Sequence, residues 1–232
     1  LKMTVNAEEF NITAKEIVID KENEILIGKE SVKAVDSEGK IIKADKITYE
    51  KSKEFILAEG NVKIADIDGN ILITNKASYD KINEIIITYD KTELSLTEDY
   101  KIIGENIFYN ISKKILSSNE KAIFSDSDGN LVETSMFQYN VINNLFSSVG
   151  KIKIIDAEKN KYFFKELHVD IKKKEMIGSD VNVILDQENF GVSKKSDPRF
   201  AANDIFMTKE ATNLSKGVFT VCKIKKGKCP PW

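Results

Sequence analysis

The sequence predicts an all-β fold: bent antiparallel strands in about six 30-residue repeats, folded over into two facing sheets in the manner of a jelly roll. Three observations predict it. The turn residues Gly39, Gly69, Asp99, Gly129, Lys159 and Asn189 each lie 30 residues beyond the last. A second ladder, Asp20, Glu50, Asp80, Asn110, Asn140 and Asp170, keeps the same step behind Ile19, Tyr49, Tyr79, Tyr109, Tyr139 and Val169. Self-similarity at this period marks an architecture in which each unit leaves an apolar face for its neighbours to cover. Between the ladders, apolar and polar residues alternate with a phase that slips once per strand.

One repeat justifies the elements in order. In KIIKADKITYEKSKEFILAEGNVKIADIDGN (40–70), Ile42 and Ala44, then Ile47 and Tyr49, make an outgoing strand. EKSK (50–53) is its turn, Phe55 and Leu57, then Val62 and Ile64, make the return strand, and DIDGN (66–70) turns the chain into the next unit. Period-two alternation rich in β-branched residues argues for half-buried strands over helices. The apolar set moves from even to odd numbers in the first strand and from odd to even in the second. A one-residue slip sends side chains to the opposite face unless a bulge or sharp bend absorbs it. The strands are therefore expected to bend at mid-length, at Gly60 here and at Gly28, Gly104, Gly150 and Gly178 in other units. The repeats are expected over roughly 10–190 within a domain of 1–196. DPRFAANDIFMTKEAT (197–212) departs from the pattern and is expected to cap the last unit.

Composition narrows the function. Lys+Arg 35 against Asp+Glu 37 leaves a net charge of -2, with no basic cluster interleaved with aromatics, so nucleic acid is not an expected partner. Apolar runs such as EIIITY (84–89) are far too short for a spanning helix. The start, LKMTVNAEEF, has no basic and apolar leader, so a targeting peptide is expected to be removed or absent. The two cysteines, Cys222 and Cys229, form a C-x6-C pair without nearby histidines, which is neither a zinc spacing nor a redox C-x-x-C. A disulfide and an oxidising compartment are the simpler reading, with two reduced surface thiols as the alternative.

No catalytic residue, cofactor or metal site is expected, and the chain is not read as an enzyme. DIDGN and DSDGN (126–130) lack the glycine that a calcium loop needs at its sixth position, which is Ile71 or Leu131 here. His168, the only histidine, sits in a strand pattern and is expected to face outward. No G-x-S-x-G, phosphate loop or H-E-x-x-H occurs. The expected interior consists of Ile47, Tyr49, Phe55, Leu57, Val62, Ile64, Tyr79, Ile85, Ile87, Ile107, Tyr109, Phe137 and Tyr139, with Ile152 and Ile154. Pattern alone favours a packed core and does not separate it from a lipid-lined groove, where acyl chains would gain about 0.8 kcal/mol per CH2 removed from water.

The unit G-N-V-x-I-x-D-x-D-G, preceded by Tyr and an acid, resembles the organic-solvent-tolerance (OstA-like) repeat family shared by the lipopolysaccharide-transport proteins LptA, LptC and LptD. The resemblance covers about 10–190. In ATNLSKGVFTVCKIKKGKCPPW (211–232), the run S-K-G-V-F-T-x-C followed by C-P-P-W is similar to the LptD segment that leads towards an outer-membrane barrel. What the resemblance implies is a β-jelly-roll or β-taco fold and a periplasmic location, as the soluble N-terminal domain of an outer-membrane protein. It implies lipopolysaccharide as ligand, with the interior residues above as its acyl path and no chemistry on the lipid. It implies an LptA-like bridge protein docked on the N-terminal edge around Met3 to Ile19, and the chain's own barrel with LptE as further partners. It also implies that 197–232 includes a linker towards the barrel and that Cys222 and Cys229 form disulfides. No aromatic-girdled strands precede Trp232, so the chain is expected to be a fragment. A structural or adhesive β repeat with a dry core, or a soluble LptA-like bridge, is the alternative.

Overall fold

The two ladders are two different hydrogen-bonded turns. In the first, the side chains of Asp20, Asp80, Asn110, Asn140 and Asp170 accept the backbone N–H three residues on, at 2.9–3.0 Å. Each of these Asx turns ends on a left-handed residue, Glu24, Glu84, Lys114, Asn144 or Lys174. Glu50 carries one methylene too many for this geometry, and Lys51–Lys53 forms a 3-10 turn there without a side-chain cap. In the second turn, Asp36, Asp66, Asp126 and Asp156 accept the N–H four residues on, from Lys40, Asn70, Asn130 and Asn160. Positive φ falls at Gly39, Gly69, Asp99, Gly129 and Lys159. At the sixth rung the ladder breaks: Asp186 accepts from Glu188 and Asn189, and positive φ passes to Gly191.

The asparagine of the glycine turn is also a staple between repeats. Asn70, Asn130 and Asn160 donate to their own aspartates and accept the N–H of Thr97, Ala157 and Asp186 in the following turn. Asn160 is buried, so Asn160→Ala leaves the Asp186 N–H and the second Asp156 oxygen without these bonds. A loss of about 1–3 kcal/mol is expected from the urea midpoint; a change within error would show that water replaces the staple.

A computed structural model describes residues 3–7, 10–97, 99–193 and 195–224. The chain divides into two compact units, Leu1–Glu120 and Lys121–Trp232. Unit 1 holds β1 (Met3–Ala7), β2 (Phe10–Ala14), β3 (Glu16–Asp20), β4 (Ile25–Asp36), β5 (Ile41–Glu50), β6 (Phe55–Ala65), β7 (Ile71–Asp80), β8 (Ile85–Thr88), β9 (Thr92–Ser95), β10 (Lys101–Gly104), β11 (Phe108–Asn110) and β12 (Ile115–Ser118). Unit 2 holds β13 (Ala122–Ser125), β14 (Leu131–Thr134), β15 (Phe137–Asn140), β16 (Leu145–Ile155), β17 (Lys161–Asp170), β18 (Glu175–Ile184), β19 (Arg199–Met207), β20 (Thr212–Ser215) and β21 (Val218–Thr220).

Every ladder within the units is antiparallel, and each long strand contributes to two arms. In unit 1 the glycine-turn arm runs β1-β2-β4-β5-β6-β7-β9-β10 and the Asx-turn arm β3-β4-β5-β6-β7-β8-β11-β12. In unit 2 the arms are β13-β14-β16-β17-β18-β19-β21 and β15-β16-β17-β18-β19-β20. The arms of each unit face one another. Phe10 of one arm meets Tyr49 and Tyr79 of the other edge-on at 5.2 and 6.0 Å, and in unit 2 Phe124 meets Phe137 and Phe146 at 4.7 and 5.0 Å. This is the all-β, folded-over, jelly-roll-like architecture. The stretch after Asp197, expected to cap the last unit, runs as β19, paired with β18 along both arms.

The bends are β-bulges, with register shifts at Lys29/Val32, Lys43/Lys46, Glu59/Val62 and Val149/Ile152. At the β6 bulge Gly60 has φ 75 and Asn61 φ 48, and a Cβ on Gly60 would lie 2.5 Å from Asp45 Oδ2. Gly150 shares the positive φ, whereas Gly28, Gly104 and Gly178 do not. Gly178 has another role, since an added Cβ would meet Phe164 Cδ1 at 2.5 Å; the missing side chain makes room for that ring.

The bulge also corrects the expected faces. It puts one extra residue on the returning strand, so β6 buries Ile56, Ala58, Val62 and Ile64 without a change of parity, and only β5 slips, from Ile42 and Ala44 to Ile47 and Tyr49. Phe55 and Leu57, expected inside, pair with Glu50 and Thr48 and lie half-buried on the outward face. Ile85 and Ile87 pair with Asp80 and Ser78 and are likewise half-buried outward, and Ile86 and Thr88 point in.

Candidate functional site

The inward side chains line up strand to strand in rows. On the Asx-turn arm of unit 1 the register joins Leu26, Tyr49, Ile56, Tyr79, Ile86, Tyr109 and Leu116. On the facing arm it joins Ala34, Ile42, Ile64, Leu72, Leu94 and Ile102. All are buried except Tyr109, which is half-buried. Of the residues expected inside, Ile47, Tyr49, Val62, Ile64, Tyr79 and Ile107 are buried in unit 1, and Phe137 and Tyr139 in unit 2. Ile152 is buried beside them and Ile154 half-buried.

Several inward residues escaped the sequence reading: Ile56, Ile86, Leu116, Leu72, Leu94 and Ile102 in unit 1, and Phe146, Phe124, Val132 and Tyr162 in unit 2. A signal for them existed, since 56, 86, 116 and 146, and likewise 72, 102, 132 and 162, are steps of the same 30-residue ladder.

The two interiors differ. In unit 2 the glycine-turn row joins Phe124, Val132, Ile154, Tyr162, Val183, Phe200 and Phe219. Phe124, Val132, Ile154, Tyr162 and Phe200 are only half-buried, and Phe219 is 52% exposed. The equivalent row of unit 1 is covered throughout. Two concavities of about 490 and 510 Å3 open along the bends of unit 2, sharing Phe163 and Phe164, one bordered by Asp180 and Lys216 and the other by Ser135 and Lys151.

In unit 1 the free margins of the two arms are tied together. Lys40 Nζ donates to Asp36 Oδ2 at 3.3 Å and to Tyr79 OH at 3.1 Å, and lies 4.3 Å from the centre of the Tyr79 ring. Lys81 Nζ donates to Ser37 Oγ at 3.1 Å. Burial works against the Lys40 ammonium, yet its bond to Tyr79 and the nearby charges raise its pKa above the ordinary lysine value. Burial first of all raises the Tyr79 and Tyr109 hydroxyls, and the nearby Asp66 and Asp68 push Tyr109 further. Lys40 replaces the asparagine of the other glycine turns, which turns a local staple into a clasp between arms.

Where strands break at mid-length, buried hydroxyls satisfy the backbone. Thr92 donates to Asp90 O, Thr88 accepts from Ile107 N–H, Ser118 donates to Glu105 O, and Thr134 and Ser148 hydrogen-bond each other while one of the two donates to Met136 O. Such pairing is what lets an interrupted sheet stay buried.

No group of side chains able to hold a metal ion occurs among the described residues. His168 is exposed, with Nε2 2.9 Å from Glu166 Oε1. Cys222 is exposed, and its carbonyl accepts from Arg199 Nη1 at 2.7 Å; Cys229 lies outside the described residues. No helix among the described residues is long and apolar enough to cross a membrane. No protein-family model and no curated protein matches the chain.

Proposed function

We propose that this chain is a lipid-sheltering transport module of the lipopolysaccharide-assembly kind. It takes up acyl chains between its two arms, performs no chemistry on them, and passes them to an outer-membrane barrel. The observation that carries the reading is the uncovered inward row of unit 2, Phe124, Val132, Ile154, Tyr162 and Phe200, apolar side chains left part-open between facing sheets. Apolar surface of this kind gains most by taking hydrocarbon out of water. The repeat pattern and the cysteine tail, through their likeness to the OstA-like family, supply the lipid class, the periplasmic location, an LptA-like donor and LptE. The edge strand β3, with Val18 and Ile19 both exposed, offers the donor an edge to extend.

A photo-crosslinker at Phe124, Ile154 or Tyr162 is expected to capture lipopolysaccharide in cells, and one at outward Leu57 or Lys153 is not. Equal capture at both sets would sink the reading. The covered rows of unit 1 favour a second reading, a structural repeat with a dry core. That reading expects no capture anywhere and no gain in Tm when lipid is added.

A further inference from the structure

The outward face of the glycine-turn arm in unit 1 carries a charge pattern that the repeat does not require. The register sets Lys33 opposite Lys43 and Lys43 opposite Lys63, all three exposed. Like charges directly opposite one another destabilise a strand pair. Across the bend, the Asx-turn arm neutralises its lysines: Glu16 holds Lys29 at 3.0 Å, and Glu59 holds Lys46 and Lys76 at 3.1 and 3.2 Å. Among the described residues no carboxylate forms an ion pair with Lys33, Lys43 or Lys63. The corresponding row of unit 2 reads Ile123, Glu133, Lys153 and Phe163, and there Glu133 reaches both Lys153 and Lys121. The position therefore tolerates neutral and acidic residues.

Two residues further towards the turns, the same face carries an apolar row, Val35, Ile41, Ala65 and Ile71, in register and half-buried. Ile73, opposite Lys63, is 48% exposed. At a rise of about 3.4 Å per residue the basic and apolar rows lie about 7 Å apart.

We propose that this face docks on an anionic phospholipid bilayer, the three ammoniums on headgroup phosphates and Ile73 with the apolar row at the acyl boundary. Two weak signals, a basic cluster and a shallow apolar strip, are the combination that gives reversible attachment to such a surface. The exposed carboxylates Glu38 and Asp68 sit in the turns beyond the apolar row, so the face meets the membrane lying flat, with the turns outside the hydrocarbon. The proposal does not depend on the lipid-transport reading.

The test is co-sedimentation of the full chain with vesicles of phosphatidylglycerol and phosphatidylethanolamine, against phosphatidylcholine vesicles. The protein is expected to prefer the anionic vesicles, less so at high salt. The combined Lys33→Gln, Lys43→Gln and Lys63→Gln variant is expected to bind about a hundredfold more weakly, roughly fivefold per lysine, and Lys153→Gln to bind as before. Lys43→Glu relieves the cross-strand repulsion, so its Tm is expected to rise while its vesicle binding falls, a combination that misfolding does not produce. Undiminished binding by the triple variant, or no preference for anionic vesicles, overturns the proposal. So does lysine-dependent binding of polyglutamate that equals the vesicle affinity, since the occupant would then be an acidic chain.

Discussion

Tyr49→Ala is expected to lower the stability of the chain by about 3–5 kcal/mol, the range for deleting a buried aromatic side chain. The ring is 1% exposed, stands in register between Leu26 and Ile56, and receives the edge of Phe10 across the interior at 5.2 Å. Its removal leaves a cavity walled by both arms, and rigid paired strands collapse poorly into such a space. Leu57→Ala is the informative control. The simple alternation of the sequence puts Leu57 on the inward face, but the structure leaves it half-buried on the outward one. Its truncation is expected to cost about 1 kcal/mol. The comparison is read from urea midpoints at constant slope, and similar losses at 49 and 57 would contradict the assignment of faces.

That comparison isolates what the sequence made legible. Turns were readable because a single side chain decides them: Asp80 or Asn110 bonds an N–H three residues on, and Gly69 takes a φ that other residues resist. The existence of bends was readable from the slip between Ala44 and Ile47. Which strand carries the extra residue was not, because Phe55-Ile56-Leu57 and Ile85-Ile86-Ile87 are apolar at every position and offer no polar marker of phase. Only registration against the neighbouring strand settles the parity, and that is a long-range property. The same holds for the margins of the arms. Nothing local to Lys40 announces a partner 39 residues away, and its place in the ladder indicates only that an asparagine is missing there.

Lys40→Ala is expected to cost about 3 kcal/mol or slightly more, because it strands the carboxylate of Asp36, whose side chain is 1% exposed, without its counter-charge. The N–H groups of Glu38 and Lys40 still reach that carboxylate, which keeps the loss at the lower end for a broken buried pair. Lys40→Asn is the sharper variant. It restores the side chain that Asn70, Asn130 and Asn160 supply in the other glycine turns, so the turn is rebuilt while the bond and the cation–π contact to Tyr79 are lost. A smaller cost, about 1–2 kcal/mol, is expected, together with faster amide exchange along β7 and β8 as the two margins part. The pH dependence has a definite sign. Lys40 and Tyr79 both have folded pKa values above their ordinary 10.5 and 10.0, so the folded state holds their protons more tightly than the unfolded chain does. The clasp therefore contributes fully below about pH 10 and is lost as pH rises through the raised values. Wild type should converge on Lys40→Asn in stability above that point. Parallel curves for the two proteins across the alkaline range would mean that the margins of unit 1 are held by packing alone.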